Sequence, residues 1–330
     1  MSKTKKIVVI GGGTGSFTVL SGLKKYPVGI SAVVSMTDSG GSNRIIRDEL
    51  GFLPTSDIRQ CFVALAEDGK EQSLRKLFIY RFSRGNGLNG MTFGNLFLAA
   101  LSDIFGSQIE AIEKTEQLLK IKGKILPVTL TDSNLVAVYE NGKKVVGEHL
   151  IDEPKHNGNL KINKVFLKPK AKMYHEVKNA ILKADLVVIG PGDLYTSIIA
   201  GLLTEGMAGV LKKTKAKIAY VMNLMTRYGQ TSGFRAKDHI QVLEKYLGEN
   251  CLDYVLINTK SVPGSALVKY KRMKEFPVVD DLKDSYFKII RGNFLSGKET
   301  KRVPGDILKR SLIRHDSDKL ARVLFKLCKQ

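Results

Sequence analysis

Four consecutive apolar residues, Ile7-Val8-Val9-Ile10, run straight into Gly11-Gly12-Gly13-Thr14-Gly15, and Val19, Leu20 and Leu23 follow at helical spacing. A short β-branched run closed by glycines reads as a buried strand, a tight loop and a helix whose N-terminus faces that loop. Strands of a parallel sheet are covered on both faces, so they appear as unbroken apolar runs rather than alternating ones. This junction predicts an α/β protein. Its glycines let the backbone approach a ligand, and the free N–H groups and dipole of the next helix favour phosphate. The match to GxGxxG is partial, since Gly11 and Gly13 fit but Ser16 stands at the third glycine.

The same pattern recurs along the chain. A second buried strand over 30–36 closes a βαβ unit and ends in Thr37-Asp38-Ser39-Gly40-Gly41-Ser42; a third, Asp185-Leu186-Val187-Val188-Ile189, ends in Gly190-Pro191-Gly192-Asp193. Further strands are predicted over 217–222 and 254–257, with helices over 56–66, 93–105, 107–121 and 235–247. Between Lys124 and Lys168 the period changes to two, and Asn141-Gly142 marks a hairpin between Leu135-Val136-Ala137-Val138-Tyr139 and Val145-Val146. The expected architecture is a Rossmann-like, three-layer parallel sheet with helices on both faces. Residues 1–122 and 169–330 form the nucleotide-binding core, and 123–168 a small β insertion.

Composition narrows the function. The chain of 330 residues carries a formal charge of +21, which raises nucleic acid as a partner. The lysines are dispersed, however, and no recognition helix, finger or basic run interleaved with aromatics is present, so no specific nucleic-acid partner is expected. Cys61, Cys251 and Cys328 form no CxxC or Cys/His cluster, which suits a reduced, cytoplasmic setting. The apolar run after Lys3, Lys5 and Lys6 stops at Gly11, too short for a signal peptide or a spanning helix, so no membrane insertion is expected.

Asp38 lies near the place where an NAD-binding fold puts its ribose carboxylate. Hydroxyls and glycines surround it, which is closer to a polyanion or metal–phosphate nest, so NAD is not the expected cofactor. Asp57, starting the helix at 56, could face the same crevice; Asp38 and Asp57 together are candidate oxygen ligands for Mg²⁺, although an acid in a first helical turn is also favoured by the dipole alone. Asn95 and Asn223, at a helix start and just past a buried strand, suit either ligand contact or capping. His149, His156, His175, His239 and His315 show no ligand or triad spacing.

Taken in order, Gly11-Gly12-Gly13-Thr14-Gly15, Met36 to Ser42, Asp57-Ile58-Arg59, Phe93-Gly94-Asn95-Leu96-Phe97, Gly190-Pro191-Gly192 with Leu194-Tyr195-Thr196-Ser197, and Asn223 with Met225-Thr226 resemble the YvcK/CofD superfamily. The likeness is closer to its YvcK-like branch of gluconeogenesis factors and covers almost the whole chain. The resemblance implies a regulatory protein, expected as a homodimer, that binds a nucleotide sugar such as UDP-N-acetylglucosamine and links gluconeogenic growth to cell-wall synthesis and cell shape. The alternative it implies is a CofD-like 2-phospho-L-lactate transferase using a nucleotide-activated donor and a divalent metal. Candidate ligand contacts are Gly12, Gly13, Thr14, Asp38, Ser39, Gly41, Ser42, Asn95, Gly192, Tyr195, Asn223 and Thr226. Arg44, Ile45, Thr55-Ser56, Met91, Asp193 and Gln230 depart from the pattern, and an added carboxylate at Asp193 would repel phosphate unless turned away or balanced by a cation.

Overall fold

The structure is a computed structural model describing residues 4–67, 72–283, 285–297 and 311–330. Its first strand, β1 (Lys6–Gly11), pairs in parallel with β2 (Gly29–Val34), as the βαβ pattern requires. β3 (Lys124–Pro127) adds to β2 at one edge. The chain then leaves the sheet for a three-stranded antiparallel unit in which β4 (Asn134–Tyr139) lies between β5 (Lys144–Val146) and β6 (Ile162–Lys168). On its return it pairs β7 (Leu186–Ile189) with the free side of β1, and β8 (Lys217–Val221), β9 (Tyr254–Asn258) and β10 (Lys288–Gly292) follow outward. The seven strands run β10-β9-β8-β7-β1-β2-β3, every pair parallel.

The unbroken apolar runs are the buried centre of this sheet. All four residues of β7 are fully buried and Ile7 to Ile10 nearly so. Helices α1 (Gly13–Leu23), α2 (Gly41–Leu50), α3 (Ser56–Leu65), α4 (Gln72–Ile79), α5 (Phe93–Phe105) and α6 (Gln108–Leu118) form much of the first half. A short helix α7 (Glu148–Asp152) follows β5. Beyond β7 the chain makes a π-helical turn, Leu194–Ile199, before the helices Met207–Lys213 and Ala236–Leu247.

Two features differ from the sequence reading. Lys124–Pro127 pairs with β2 in the main sheet, so the insertion begins after Pro127 rather than at 123; a short buried run carries no sign of which sheet it joins. The sequence reading also assigned no helix to Gly41–Leu50, no strand to Lys288–Gly292 and no helix to Ser317–Lys329.

The C-terminal helix, Ser317–Lys329, starts at an Asp316 cap that accepts from the N–H groups of Asp318 and Lys319, and buries Leu320, Leu324 and Leu327. It packs along α1, and a methyl group on Gly22 would run into the Ser317 carbonyl oxygen. Gly22→Ala should therefore cost about 1–3 kcal/mol, as overpacking does, read as a lower urea midpoint; an unchanged midpoint would contradict this close approach.

Candidate active site

In an open parallel sheet, ligands bind beyond the carboxyl ends of the strands where the chain reverses its direction of travel across the sheet. Here that point lies between β1 and β7, because the chain moves from β1 toward β3 and then returns to β7 on the other side. The loops Gly12–Gly15 and Gly190–Asp193 meet at this point. A methyl group on Gly15 would collide with the Pro191 carbonyl oxygen, so the residue at 15 must be glycine for the two loops to touch. Gly13 adopts φ +61, a left-handed conformation that glycine takes without strain. At the start of α1, Gly12 is the N-cap, and the Asp57 carboxylate lies against it, so that a methyl group on Gly12 would run into Asp57 Oδ2.

The crevice above these loops encloses about 240 Å³, far more than the roughly 10–15 Å³ that one ordered water needs. Of the residues proposed from sequence, Gly12, Gly13, Thr14, Asp38, Gly41, Asp57, Gly192, Asn223 and Thr226 line it. The Asn223 amide donates to the Gly192 carbonyl at 2.7 Å, and the Tyr220 hydroxyl donates to Asn223 Oδ1 at 3.4 Å. This fixes the amide orientation at the crevice lining and leaves its second Nδ2 hydrogen outside these two bonds. Behind Tyr220, at 3.3 Å, sits His239, whose burial lowers its pKa to about 4 and keeps it neutral.

Three proposed contacts are placed elsewhere, and the side chain of a fourth lies outside the described residues. Asn95 is fully buried: its Oδ1 accepts from Arg59 Nε at 3.0 Å and its Nδ2 donates to Ser56 Oγ at 3.0 Å. It holds Arg59, which does line the crevice, rather than facing a ligand. Tyr195 is buried with its N–H on Gln230 Oε1, and Thr196 and Ser197 reach the crevice instead. Ser39 accepts from the His149 N–H at 3.1 Å, tying the Asp38 loop to α7. Ser42 belongs to the first turn of α2, and its side chain lies outside the described set.

Asn43, which the sequence reading passed over, ties the loops together. Its Nδ2 donates to Asp38 at 2.6 Å while its Oδ1 accepts from the N–H groups of Thr55 and Ser56, both at 3.2 Å. Asp38 also accepts from Gly40 N at 2.9 Å. The departures at Arg44, Ile45 and Met91 lie away from the crevice: Arg44 is exposed and pairs with Asp48, while Ile45 and Met91 pack together beside Ala99.

The insertion contributes acids to the crevice. Glu148, His149 and Asp152 of α7 line it together with Asp38, Asp57 and Asp193. Glu148 opens on the crevice yet is enclosed by protein. Burial, followed by the fields of Asp38, Asp152, Asp57 and Asp193, holds its pKa well above the usual carboxylate range; burial also raises Asp38, against the pull of the Gly40 and Asn43 hydrogen bonds.

Arg227 is the counter-charge to Asp152. It donates to both oxygens of Asp152, at 3.0 and 2.6 Å, and to Glu275 at 3.4 Å. Burial alone would lower its pKa, but Asp193, Asp152 and Glu275 raise it, so it stays charged. The field of Arg227 thus also acts on Asp193, although its hydrogen bonds go to Asp152 and Glu275. Gln230 is explained by the same network: its Nε2 donates to Asp152 at 3.0 Å, where a carboxylate would meet another carboxylate.

Because its pKa is raised, folded Glu148 holds its proton more tightly than the unfolded chain does. Its contribution is favourable below the ordinary value of 4.5 and is lost as pH rises through the raised pKa. Glu148→Gln should accordingly unfold a few degrees above the parent at pH 7.5, with the gap closing toward pH 4.5. Equal melting temperatures at both pH values would contradict the enclosure.

Residues 7–295 match the family model described as 2-phospho-L-lactate transferase CofD. The chain is 36% identical over 334 residues to the gluconeogenesis factor of Bacillus subtilis, covering 100% of both chains. It is 40% identical over 280 residues to that of Halalkalibacterium halodurans, covering 84% of this chain and 85% of the relative. A crystal structure of a UPF0052-family protein from Bacillus halodurans, 34% identical, superposes with a TM-score of 0.88 over 98% of this chain and 100% of the other.

Proposed function

The chain belongs to the 2-phospho-L-lactate transferase CofD family and is similar over its whole length to gluconeogenesis factors, and from that premise we propose that its crevice binds a nucleotide sugar of the UDP-N-acetylglucosamine type. In this reading the protein is a cytoplasmic regulator that senses the precursor and links gluconeogenic carbon supply to cell-wall synthesis and cell shape. The observation that carries it is the convergence of the Gly12–Gly15 and Gly190–Asp193 loops at the switch point, where α1 begins. A diphosphate accepts hydrogen bonds from backbone N–H groups at a helix start and is favoured by the dipole. Asn223 and Thr14 add side-chain donors at the same loops. A sugar reaching the α7 side would meet Asp152 and Glu148, which suit hydroxyl and amide donors.

One feature favours the transferase as a second reading. Asp38 and Asp57 both face the crevice, and Mg²⁺ is commonly held by one or two carboxylates together with substrate phosphates. Among the described residues no group of three or more His, Cys, Asp or Glu forms a metal cage, so the donor set fits a cation shared with a phosphorylated ligand rather than a structural ion. Such a cation would offset phosphate charge; Asp38, oriented by Asn43 and Gly40, and Asp57, packed against Gly12, are the residues that would hold it.

Thr14→Ala and Asn223→Ala should each weaken UDP-N-acetylglucosamine binding by about 1–3 kcal/mol by leaving ligand groups unpaired, measured by calorimetry on variants with unchanged circular dichroism. Unaltered affinity in both would refute the site. Asp38→Asn separates the two readings: a regulator keeps its other behaviour and has no turnover to lose, whereas metal-dependent donor consumption abolished by this variant would establish the transferase.

A further inference from the structure

We propose that the segment from Gln72 to Thr92 is a docking surface for an anionic lipid bilayer. Its 21 residues include Arg75, Lys76, Arg81 and Arg84 and no acid. The inward side is anchored: Phe78 is fully buried, and Phe82 packs against Ile46 and Met91. The outward side is not. Leu77 and Ile79 are 44% exposed, Tyr80 50% and Leu88 46%. Water-facing apolar side chains gathered in one short segment are costly in a soluble protein unless they serve an interface.

The geometry favours a flat, negatively charged partner. Leu88 lies in a glycine turn that is solvent-exposed from Arg84 to Asn89, and methyl groups built on Gly85, Gly87 and Gly90 would meet nothing within 4 Å. The turn is nevertheless held in place, since Phe82 and Met91 exchange backbone hydrogen bonds with its stem: Phe82 N donates to Met91 O at 2.9 Å, and Gly90 N to Phe82 O at 2.8 Å. An exposed leucine in a turn that also carries Arg84, on a segment with the exposed Lys76, can enter a lipid surface while the cations contact headgroups, the arrangement of an interfacial anchor. A second copy of this chain is a poor occupant, because a twofold contact would set these acid-free segments against each other in a chain of charge +21. No helix among the described residues is long and apolar enough to cross a membrane, so the contact is peripheral. The same segment carries Arg81, which lines the crevice, so lipid docking and the ligand site share an element.

The test is co-sedimentation of the full chain with mixed phosphatidylcholine–phosphatidylglycerol vesicles and with pure phosphatidylcholine vesicles. Binding to the mixed vesicles alone is expected. Lys76→Gln and Arg84→Gln should each lower the affinity roughly fivefold, and the charge-neutral change Leu88→Ser roughly tenfold. Lys213→Gln and Lys260→Gln, which remove exposed cations elsewhere, should change it by less than about twofold. Absence of binding to mixed vesicles overturns the proposal. So does an equal loss in all four charge variants, which would mark diffuse attraction to a basic chain, or an unchanged affinity in Leu88→Ser. Leucine-dependent self-association or capture of an acidic protein without vesicle binding would equally refute it.

Discussion

The close approach of Gly15 to the Pro191 carbonyl is the contact on which the site depends. It joins the first βα loop to the loop after β7, two segments some 175 residues apart in sequence that become neighbours only because β7 pairs with β1. Were the return crossing to place β7 at another edge, each glycine loop would still be an ordinary turn, but neither would have a partner. Parallel pairing at the centre of the sheet therefore creates the crevice, and the small residues at its base let the backbones form its floor.

Above that floor, charge decides what the crevice can hold. Five carboxylates, Asp38, Asp57, Glu148, Asp152 and Asp193, line the crevice close enough for four of them to act on Glu148, and Arg227, one of the arginines lining it, pairs with Asp152 and with Glu275. A free phosphate placed against these acids is repelled. A phosphate accompanied by a cation is not, and a ligand whose donor-rich end lies toward α7 meets carboxyl groups that accept its hydrogen bonds. The same charge distribution thus accommodates a bound nucleotide sugar and, with a metal, a transfer step.

How much of this could be read from the chain follows from where each signal resides. The central strands were legible because burial on both faces leaves a continuous apolar run, and Asp38, Asp57, Gly192 and Asn223 were legible because each follows such a run or opens the next helix. β10 was not, since as an edge strand it is only half buried and its KIIRG sequence has no unbroken apolar core. The C-terminal helix did carry a signal, with Leu320, Leu324 and Leu327 at helical spacing after Asp316. Asn95 was misread because an asparagine at a helix start looks the same whether it faces a ligand or a buried arginine. Glu148 and Asp152 lie four apart on one helix face, yet nothing local shows that the insertion folds back over the main sheet's loops. Arg227, just after Asn223, becomes informative only when Asp152 is beside it.

The central claim is that the ligand lies across the β1 and β7 loops. Hydrogen–deuterium exchange with and without saturating UDP-N-acetylglucosamine tests it most directly, because the acceptors proposed are backbone amides. The account predicts slowed exchange at residues 12–18 and 190–197, with weaker protection near 38–43 and 223–227. Protection confined to other parts of the chain, or none in either loop at saturation, would contradict it.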